Sequence, residues 1–151
     1  MRGVFVTFEG TEGSGKTTQI QRLSADLIIQ RYSVIVTREP GGTAISEQIR
    51  SLLLDPENTA MKSTTELLLY AASRTQHVLE KIIPALEEGK VAISDRFADA
   101  SLAYQGYGRG LDINLIRSLN RIATNGTVPD ITFLLDLPVD IGLKRAGKRG
   151  Q

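Results

Sequence analysis

The sequence predicts an α/β fold of three layers, in which a parallel sheet is flanked by helices on both faces. Short apolar runs alternate along the chain with segments whose apolar residues recur at helical spacing. The runs are nearly continuous in apolar residues, which is typical of strands covered on both faces of a parallel sheet. This alternation of strands and helices implies right-handed crossovers. With 151 residues and no repeat or linker, the chain is expected to form a single domain over 1–151.

Four apolar runs are the predicted strands, at 4–8, 34–36, 91–93 and 131–135. The first helix follows the first strand, where Ile20, Leu23 and Leu27 recur at intervals of three and four residues. Another helix is predicted after Asp112, because aspartate is a preferred N-cap and the residues that follow it have helical spacing.

The longest helical pattern runs over about 63–88. Pro84 is expected to bend this segment or to start a second helix, because proline lacks the N–H that a helix interior needs. Gly89 is the expected C-terminal stop, since glycine adopts the left-handed conformation that ends many helices. His77 is the single histidine of the sequence, and we interpret it as a hydrogen-bonded structural residue.

The composition disfavours several classes of protein. Eighteen basic and 17 acidic residues give a net charge of +1, so overall charge predicts neither nucleic-acid nor membrane binding. The absence of cysteine excludes disulfides and thiolate metal sites. No apolar run has the length of a membrane span or of a signal-peptide core. We therefore expect a cytoplasmic protein.

The stretch GTEGSGKTT has the spacing of a phosphate-binding loop, and it lies between a predicted strand and a predicted helix. Its glycines let several backbone N–H groups converge, and the helix N-terminus adds its dipole. Lys16 would reach the β- and γ-phosphates, while the Thr17 hydroxyl would ligate magnesium. The alternative is a glycine-rich turn with an incidental lysine. The context favours a P-loop NTPase fold. Its predicted ATP-binding residues are Gly10, Thr11, Glu12, Gly13, Ser14, Gly15, Lys16, Thr17 and Thr18.

A second anion site is predicted at the ends of two strands. A GTPase switch is disfavoured, because none of the six lysines is followed two positions on by aspartate and no Asp-x-x-Gly occurs. A phosphotransferase instead needs arginines facing the loop. Arg38 and Arg96 follow the second and third predicted strands, where ligands of α/β sheets gather. Each could alternatively be a surface arginine paired with Glu39 or Asp95.

Four ordered motifs are FEGTEGSGKTT, TREPGGT, LLLYAASRTQH and ISDRFADASLAYQGYGRG. Together they closely resemble bacterial thymidylate kinases, from Phe5 to the basic tail. The resemblance implies a nucleoside monophosphate kinase-like fold and phosphorylation of dTMP by ATP with Mg²⁺, in a cytoplasmic homodimer. Two alternatives stay open: another nucleoside monophosphate or deoxynucleoside kinase, or an ATP-binding fragment without transferase activity.

The resemblance also implies roles at the phosphates and the metal. Arg38 and Arg96 resemble ligands of the dTMP phosphate, and Lys16 and Arg96 are the catalytic candidates of this part of the chain. Asp95 resembles the carboxylate near magnesium. Asp136 also fits an apolar strand followed by a magnesium-associated aspartate, and the match of the Asp-Arg-Phe motif favours Asp95.

For the nucleoside, the resemblance implies that Tyr70 stacks on thymine, Arg74 contacts its O4 atom, Ser101 and Gln105 lie at the base, and Tyr104 lies beside the sugar. Tyr70 and Arg74 are four residues apart, so on a helix they share a face. Arginine is only a donor, so it suits the O4 acceptor and leaves the cytosine amine unpaired. Tyr70 could alternatively be a plain core residue.

A carboxylate inside an anion-binding loop needs an explanation, since like charges about 4 Å apart repel by roughly 4 kcal/mol at an effective dielectric of 20. Glu12 is that residue. The resemblance implies that an acidic residue here contacts the 3′-hydroxyl of dTMP, so Glu12 is expected to face the second substrate. The alternative is a solvent-facing glutamate at the loop tip.

The basic cluster near the C-terminus is the last candidate. The residues between Gly10 and Lys16 include no arginine, so charge on the transferred group must be stabilised from elsewhere. Arg145 and Arg149 align with the start of the family's LID, and Arg149 is the preferred catalytic residue of the two. A solvated basic helix end is the alternative. Because the sequence stops here, we expect a domain that is incomplete at its C-terminus.

Overall fold

A computed structural model of the chain describes residues 2–147, which contain one four-stranded parallel sheet. The strands are β1 (Val4–Glu9), β2 (Val34–Arg38), β3 (Val91–Asp95) and β4 (Ile131–Leu134). Their order across the sheet is β2-β3-β1-β4, and every neighbouring pair is parallel. The predicted parallel α/β architecture is confirmed.

Seven α-helices connect and follow these strands within the part of the chain that the structure describes. They are α1 (Lys16–Ile29), α2 (Ala44–Leu54), α3 (Ser63–His77), α4 (Ile83–Glu87), α5 (Ala98–Ser101), α6 (Ile113–Ala123) and α7 (Val139–Gly147). The N-cap prediction for α6 is confirmed, because the Asp112 side chain accepts a hydrogen bond from the Leu115 N–H. No helix within residues 2–147 is long and apolar enough to cross a membrane.

Two π-helical segments interrupt the helical runs, at Val78–Ile82 and Leu102–Gly108. The predicted long helix is therefore three pieces: α3, the first π-helical segment and α4. Pro84 lies in the first turn of α4, where the missing N–H costs little, so of the two alternatives it starts a second helix. Gly89 follows at a φ of 75°, as expected for a stop.

The core lies on both faces of the sheet, because successive β1 residues point in opposite directions. On one face, Phe5 packs edge-on against Phe97, with ring centroids 4.9 Å apart. The buried cluster on this face is Phe5, Val78, Ile82, Leu86, Ala92 and Phe97. The cluster on the other face, which includes a residue of α1, is Val6, Phe8, Ile20, Val91 and Ile93. The predicted three layers are present.

The expectation that every strand is covered on both faces is wrong for β4. All four residues of β4 are exposed, while β3 is buried over four of its five residues. Among the described residues β4 is an outer strand of the sheet and pairs only with β1, so one of its sides has no neighbouring strand. Apolar content alone does not distinguish a central strand from an edge strand.

The strands β1, β2 and β3 extend one or two residues further than their apolar runs, while β4 ends one residue before its run. Glu9, Arg38 and Asp95 are thus the last residues of β1, β2 and β3. Since the strands are parallel, these three polar residues end at the same edge of the sheet, and the functional site forms there.

Candidate active site

The phosphate loop joins β1 to α1 over residues 10–15. Gly15 caps α1 at a φ of 95°, in a left-handed region that favours glycine. Lys16 is buried at the start of α1, and its Nζ donates hydrogen bonds of 2.9 Å to the carbonyl oxygens of Gly10 and Thr11. Burial, and then the nearby Arg96, lower the pKa of Lys16. The ammonium group is therefore fixed at the mouth of the loop.

Three buried oxygens around the loop have no hydrogen-bond partner within residues 2–147. They are Thr11 Oγ1, Ser14 Oγ and Asp95 Oδ1. Buried polar groups are normally paired, so unpaired ones at one site indicate a place for a ligand. Burial also raises the pKa of Asp95, although the nearby Lys16 and Arg96 oppose the shift.

The residues present fit a magnesium ion. Asp95 and Thr17 line one cleft with Lys16, and both offer oxygen ligands. Magnesium usually takes one or two carboxylates and completes its shell with water and phosphate oxygens. No cluster of three or more His, Cys, Asp or Glu residues that could hold a metal ion occurs in the described part of the chain. Asp136, the other sequence candidate, is exposed and does not line this cleft.

The cleft beside the loop, about 300 Å³ in volume, is lined by four basic side chains and three carboxylates. Its basic side chains are Lys16, Arg38, Arg50 and Arg96. Arg38 also donates two hydrogen bonds to Glu47, at 2.9 and 3.0 Å, with half of its side chain exposed. An exposed pair of this kind is worth about 0–1 kcal/mol, so it can open at little cost when an anion arrives. Arg38 can therefore pair with a carboxylate, as it does here with Glu47, and still bind an anion in the cleft.

Arg96 has a strained backbone, with a φ of 71°. Its N–H donates to the Phe8 carbonyl, and its carbonyl accepts from Ser94 Oγ, so the conformation is held from both sides. The guanidinium donates to the Tyr104 hydroxyl at 2.9 Å and lies 5.1 Å from the centre of that ring. A strained non-glycine residue costs about 1–3 kcal/mol and often marks a functional position. The side-chain hydrogen bond of Arg96 thus goes to Tyr104, and not to Asp95 as the surface-pair alternative expects.

A second cleft, of about 550 Å³, adjoins the first. The candidate base-binding residues all line it: Tyr70, Arg74, Ser101, Tyr104 and Gln105. The two clefts share the lining residues Glu12, Glu39, Arg50 and Arg96. Glu12 therefore lies at the boundary between them. The arrangement can accept a molecule with an anionic end and a planar end.

Arg74 is the centre of a buried hydrogen-bond network, with only 2% of its surface exposed. Its Nε donates to Glu39 at 2.7 Å, and one terminal nitrogen donates to Ser101 at 3.1 Å and Asn120 at 2.6 Å. The other terminal nitrogen donates to the Phe97 carbonyl. A guanidinium has five N–H donors, so one is left for a ligand.

Glu39 is a site residue that the sequence reasoning misassigned. The sequence suggests Glu39 as a surface partner of Arg38, but Glu39 is buried and pairs with Arg74 and His77. Because a carboxylate only accepts, His77 Nδ1 donates to Glu39, and its Nε2 is hydrogen-bonded to the Thr37 hydroxyl at 2.7 Å. This supports the structural interpretation of His77. The identity of the partners could not be read from the sequence, since they lie more than 30 residues apart.

Arg50 is a site residue that the sequence reasoning missed. It lines both clefts from α2 and donates a 2.8 Å hydrogen bond to the Pro40 carbonyl. Its only sequence signal is that it is an arginine in the helix after the TREPGGT motif. The helical pattern of α2 does not show which face meets the cleft.

Helix α7 packs directly on the phosphate loop. A Cβ atom added to Gly13 would lie 2.3 Å from the Gly142 carbonyl oxygen and 3.0 Å from Arg145 Cβ. A Cβ added to Gly142 would lie 2.6 Å from the Glu12 carbonyl oxygen. Arg145 is thus beside the loop. Arg149, the preferred catalytic candidate, lies outside the described residues.

Glu9 is a buried carboxyl beneath this site. Burial raises its pKa to about 7, although the Phe97 N–H donates to it at 2.8 Å and opposes the shift. Asp99 raises the pKa further, and Arg96 and Arg74 lower it.

The raised pKa of Glu9 predicts a loss of stability as the pH rises. The unfolded carboxyl titrates near 4.5 and the folded one near 7, so between these values the folded state binds more protons. Raising the pH from 5 to 8 should therefore lower the free energy of unfolding by up to about 3 kcal/mol through this group. Urea unfolding of the parent and of Glu9→Gln across this range checks the effect. The free energy of unfolding of Glu9→Gln should fall less than that of the parent over this pH range. If the two proteins lost the same free energy between pH 5 and pH 8, the prediction would be wrong.

A phosphate loop between β1 and α1, a parallel sheet and an adjoining basic double cleft define a P-loop kinase of the nucleoside monophosphate type. The family profile described as thymidylate kinase matches residues 8–151. The chain belongs to the thymidylate kinase family.

Individual relatives agree with this assignment. The chain is 60% identical over 147 residues to the thymidylate kinase of Geotalea uraniireducens, covering 97% of this chain and 69% of the relative. It is 58% identical over 146 residues to the thymidylate kinase of Halothermothrix orenii, and the match covers 97% of this chain and 70% of the relative. The crystal structure of thymidylate kinase from Ehrlichia chaffeensis matches with a TM-score of 0.82 at 42% identity, covering 97% of this chain and 78% of that one.

Proposed function

We propose that the chain transfers the γ-phosphoryl group of ATP to dTMP, giving dTDP for dTTP synthesis. Membership of the thymidylate kinase family supports this reaction. The structural observation that carries it is the double cleft, in which Glu12 and Arg96 line both the basic part and the part with the base-binding candidates. A nucleotide monophosphate can thus lie across the boundary with its phosphate toward the loop.

The phosphates of ATP would be held by the loop N–H groups and by Lys16, whose ammonium is already fixed at the loop mouth. Arg38 and Arg96 would bind the acceptor phosphate with their guanidinium forks. Thr17 and Asp95 would hold Mg²⁺, which neutralises charge on the β- and γ-phosphate oxygens when bound. The nucleophile is a phosphate oxygen that is already ionised, so no protein base is required. Catalysis is then positioning and charge stabilisation.

The base would lie between Tyr70 and the π-helical segment Leu102–Gly108. The remaining N–H of Arg74 would donate to thymine O4, while its other donors stay bound to protein. Burial of Tyr70 raises the pKa of its hydroxyl, so the ring is a neutral stacking surface at physiological pH.

We further propose a homodimer in the cytoplasm, where ATP and dTMP are available. Exposed apolar side chains on α2 and α3, which pack together, support an interface there: Ile45, Leu52 and Leu68 are each about half exposed. Sedimentation analysis tests the assembly.

A coupled ADP-release assay with dTMP, dCMP, dGMP and thymidine tests the activity. Turnover should be highest with dTMP. Highest turnover with dCMP or thymidine would point to a different nucleotide or nucleoside kinase. ATP binding without turnover of any acceptor would favour an ATP-binding fragment.

Glu12→Gln is expected to retain ATP binding and to weaken dTMP binding by about 1–3 kcal/mol, because a charge-assisted hydrogen bond to the 3′-hydroxyl becomes a neutral one. The deficit should be smaller for 3′-deoxy-dTMP, which has no hydroxyl for Glu12 to accept from. Calorimetric affinities for both ligands and both proteins measure this, with exposed Glu57→Gln as the matched control. Tighter ATP binding with unchanged dTMP binding would show that Glu12 faces the ATP phosphates.

A further inference from the structure

Three side chains on one stripe of α3 face the base-binding residues. Glu66, Tyr70 and Arg74 are spaced by four residues, so they lie above one another on the helix surface. Arg74 donates to Ser101, and Glu66 accepts from Gln105, which is itself four residues after Ser101. The two helical segments are thus joined by two hydrogen bonds, one on each side of Tyr70.

The Glu66–Gln105 hydrogen bond fixes the orientation of the Gln105 amide. A carboxylate has acceptors only, so the group that faces it must be the amide NH₂ and not the carbonyl. Gln105 Nε2 donates to Glu66 Oε1 at 2.7 Å. The other oxygen, Oε2, accepts from Arg109 at 3.0 Å, in an ion pair whose arginine is 57% exposed and which therefore contributes little.

The rest of the amide is available to a ligand. Gln105 is 2% exposed and lines the base cleft as well as the smaller cavity that contains Glu66. Among the described residues the Gln105 side chain makes one hydrogen bond, from Nε2 to Glu66, which uses one of its two N–H donors and leaves Oε1 unengaged. Glu66 therefore determines which side of the Gln105 amide offers the base cleft an acceptor and which side offers it a donor.

We propose that Glu66 is a positioning residue that sets the base specificity of the site by orienting Gln105. The proposal rests on the proposed function, in which the cleft binds the base of dTMP. The Oε1 atom of the oriented Gln105 amide can accept a hydrogen bond from the N3–H of thymine. The N–H of Nε2 that does not bind Glu66 can donate to a thymine carbonyl. Cytosine has an acceptor at N3 and a donor at N4. Against cytosine, Oε1 of the same amide would face another acceptor and its N–H would face another donor, so neither hydrogen bond could form.

Glu66→Gln tests the proposal, because glutamine at 66 can either accept from or donate to Gln105 and no longer fixes the amide. The ratio of kcat/KM for dTMP to that for dCMP should fall about tenfold. Most of the change should lie in the KM for dTMP, with kcat at saturating dTMP and the KM for ATP within twofold of the parent. Thermal unfolding is measured alongside, and a merely structural role would shift stability without changing the ratio.

Two further variants make the test specific. Arg109→Met removes the other partner of Glu66 and leaves the Gln105 bond, so its dTMP to dCMP ratio should stay within threefold. In a Gln105→Leu background, Glu66→Gln should have no further effect on the ratio, because the amide that it orients is gone.

The outcomes separate this inference from the proposed function. A parent that uses dTMP best, with a Glu66→Gln variant of unchanged ratio, would overturn the inference alone. An equal fall in the Gln105→Leu background would also overturn it, since the effect would not pass through the amide. A parent that prefers another nucleotide would overturn the proposed function and this inference with it.

Discussion

Replacement of Lys16 by methionine is expected to lower kcat for dTMP phosphorylation by about a thousandfold, the cost of removing one preorganised charge from a transition state. Lys16 is buried, and its ammonium is held by two loop carbonyls, so no neighbouring side chain can take its place without rebuilding the loop. Methionine keeps most of the length and the apolar stem, so the change tests the charge and not the packing. Steady-state kinetics at saturating ATP and dTMP measure it.

Lys90→Met is the matched control for this prediction. Lys90 lies just before β3 and pairs with the exposed Glu88. Its replacement should leave kcat within twofold of the parent. A Lys16→Met protein that is folded and retains more than a tenth of the parental kcat would show that Lys16 has no role in phosphoryl transfer.

Arg74→Lys is expected to cause two separate losses. The free energy of unfolding should fall by about 3 kcal/mol, because a single ammonium group cannot reach Glu39, Asn120 and the Phe97 carbonyl at once, and buried acceptors are left without a donor. The KM for dTMP should rise at least tenfold, since a point charge cannot reproduce the planar donor at the base edge. Urea unfolding and steady-state kinetics measure the two effects independently.

Arg117→Lys on α6 is the control, since Arg117 is exposed and the same chemical change there should alter neither quantity. ATP binding by Arg74→Lys should stay near the parental value. A dTMP affinity within twofold of the parent would show that Arg74 is a structural tie and not a base contact.

The sequence predicts the parts of this site that depend on local pattern. The phosphate loop could be located because its spacing, the preceding strand and the following helix are all contiguous in the chain. Arg38 and Arg96 could be placed near it because parallel strands end at one edge. Tyr70 and Arg74 share a cleft, as their helical spacing indicates.

The sequence could not predict contacts that depend on which distant elements meet. The Arg74 network joins residues 35 and 46 positions away, and no periodicity specifies such partners. The π-helical segment that carries Gln105 has no recognised compositional signal, and its extra residue per turn changes which side chains face the cleft. The exposure of β4 depends on its place at the sheet edge, which apolar content does not encode.

The close approach of Gly142 to the phosphate loop has a consequence for protein engineering. Replacing a glycine inside a helix by alanine is a standard way to raise thermal stability, worth about 1 kcal/mol at an ordinary exposed position. At position 142 the added methyl group would meet the Glu12 carbonyl at 2.6 Å, so α7 or the loop would have to move. Automated schemes that score helix propensity alone would select this substitution, and a thermostabilised variant of this kinase should keep the glycine.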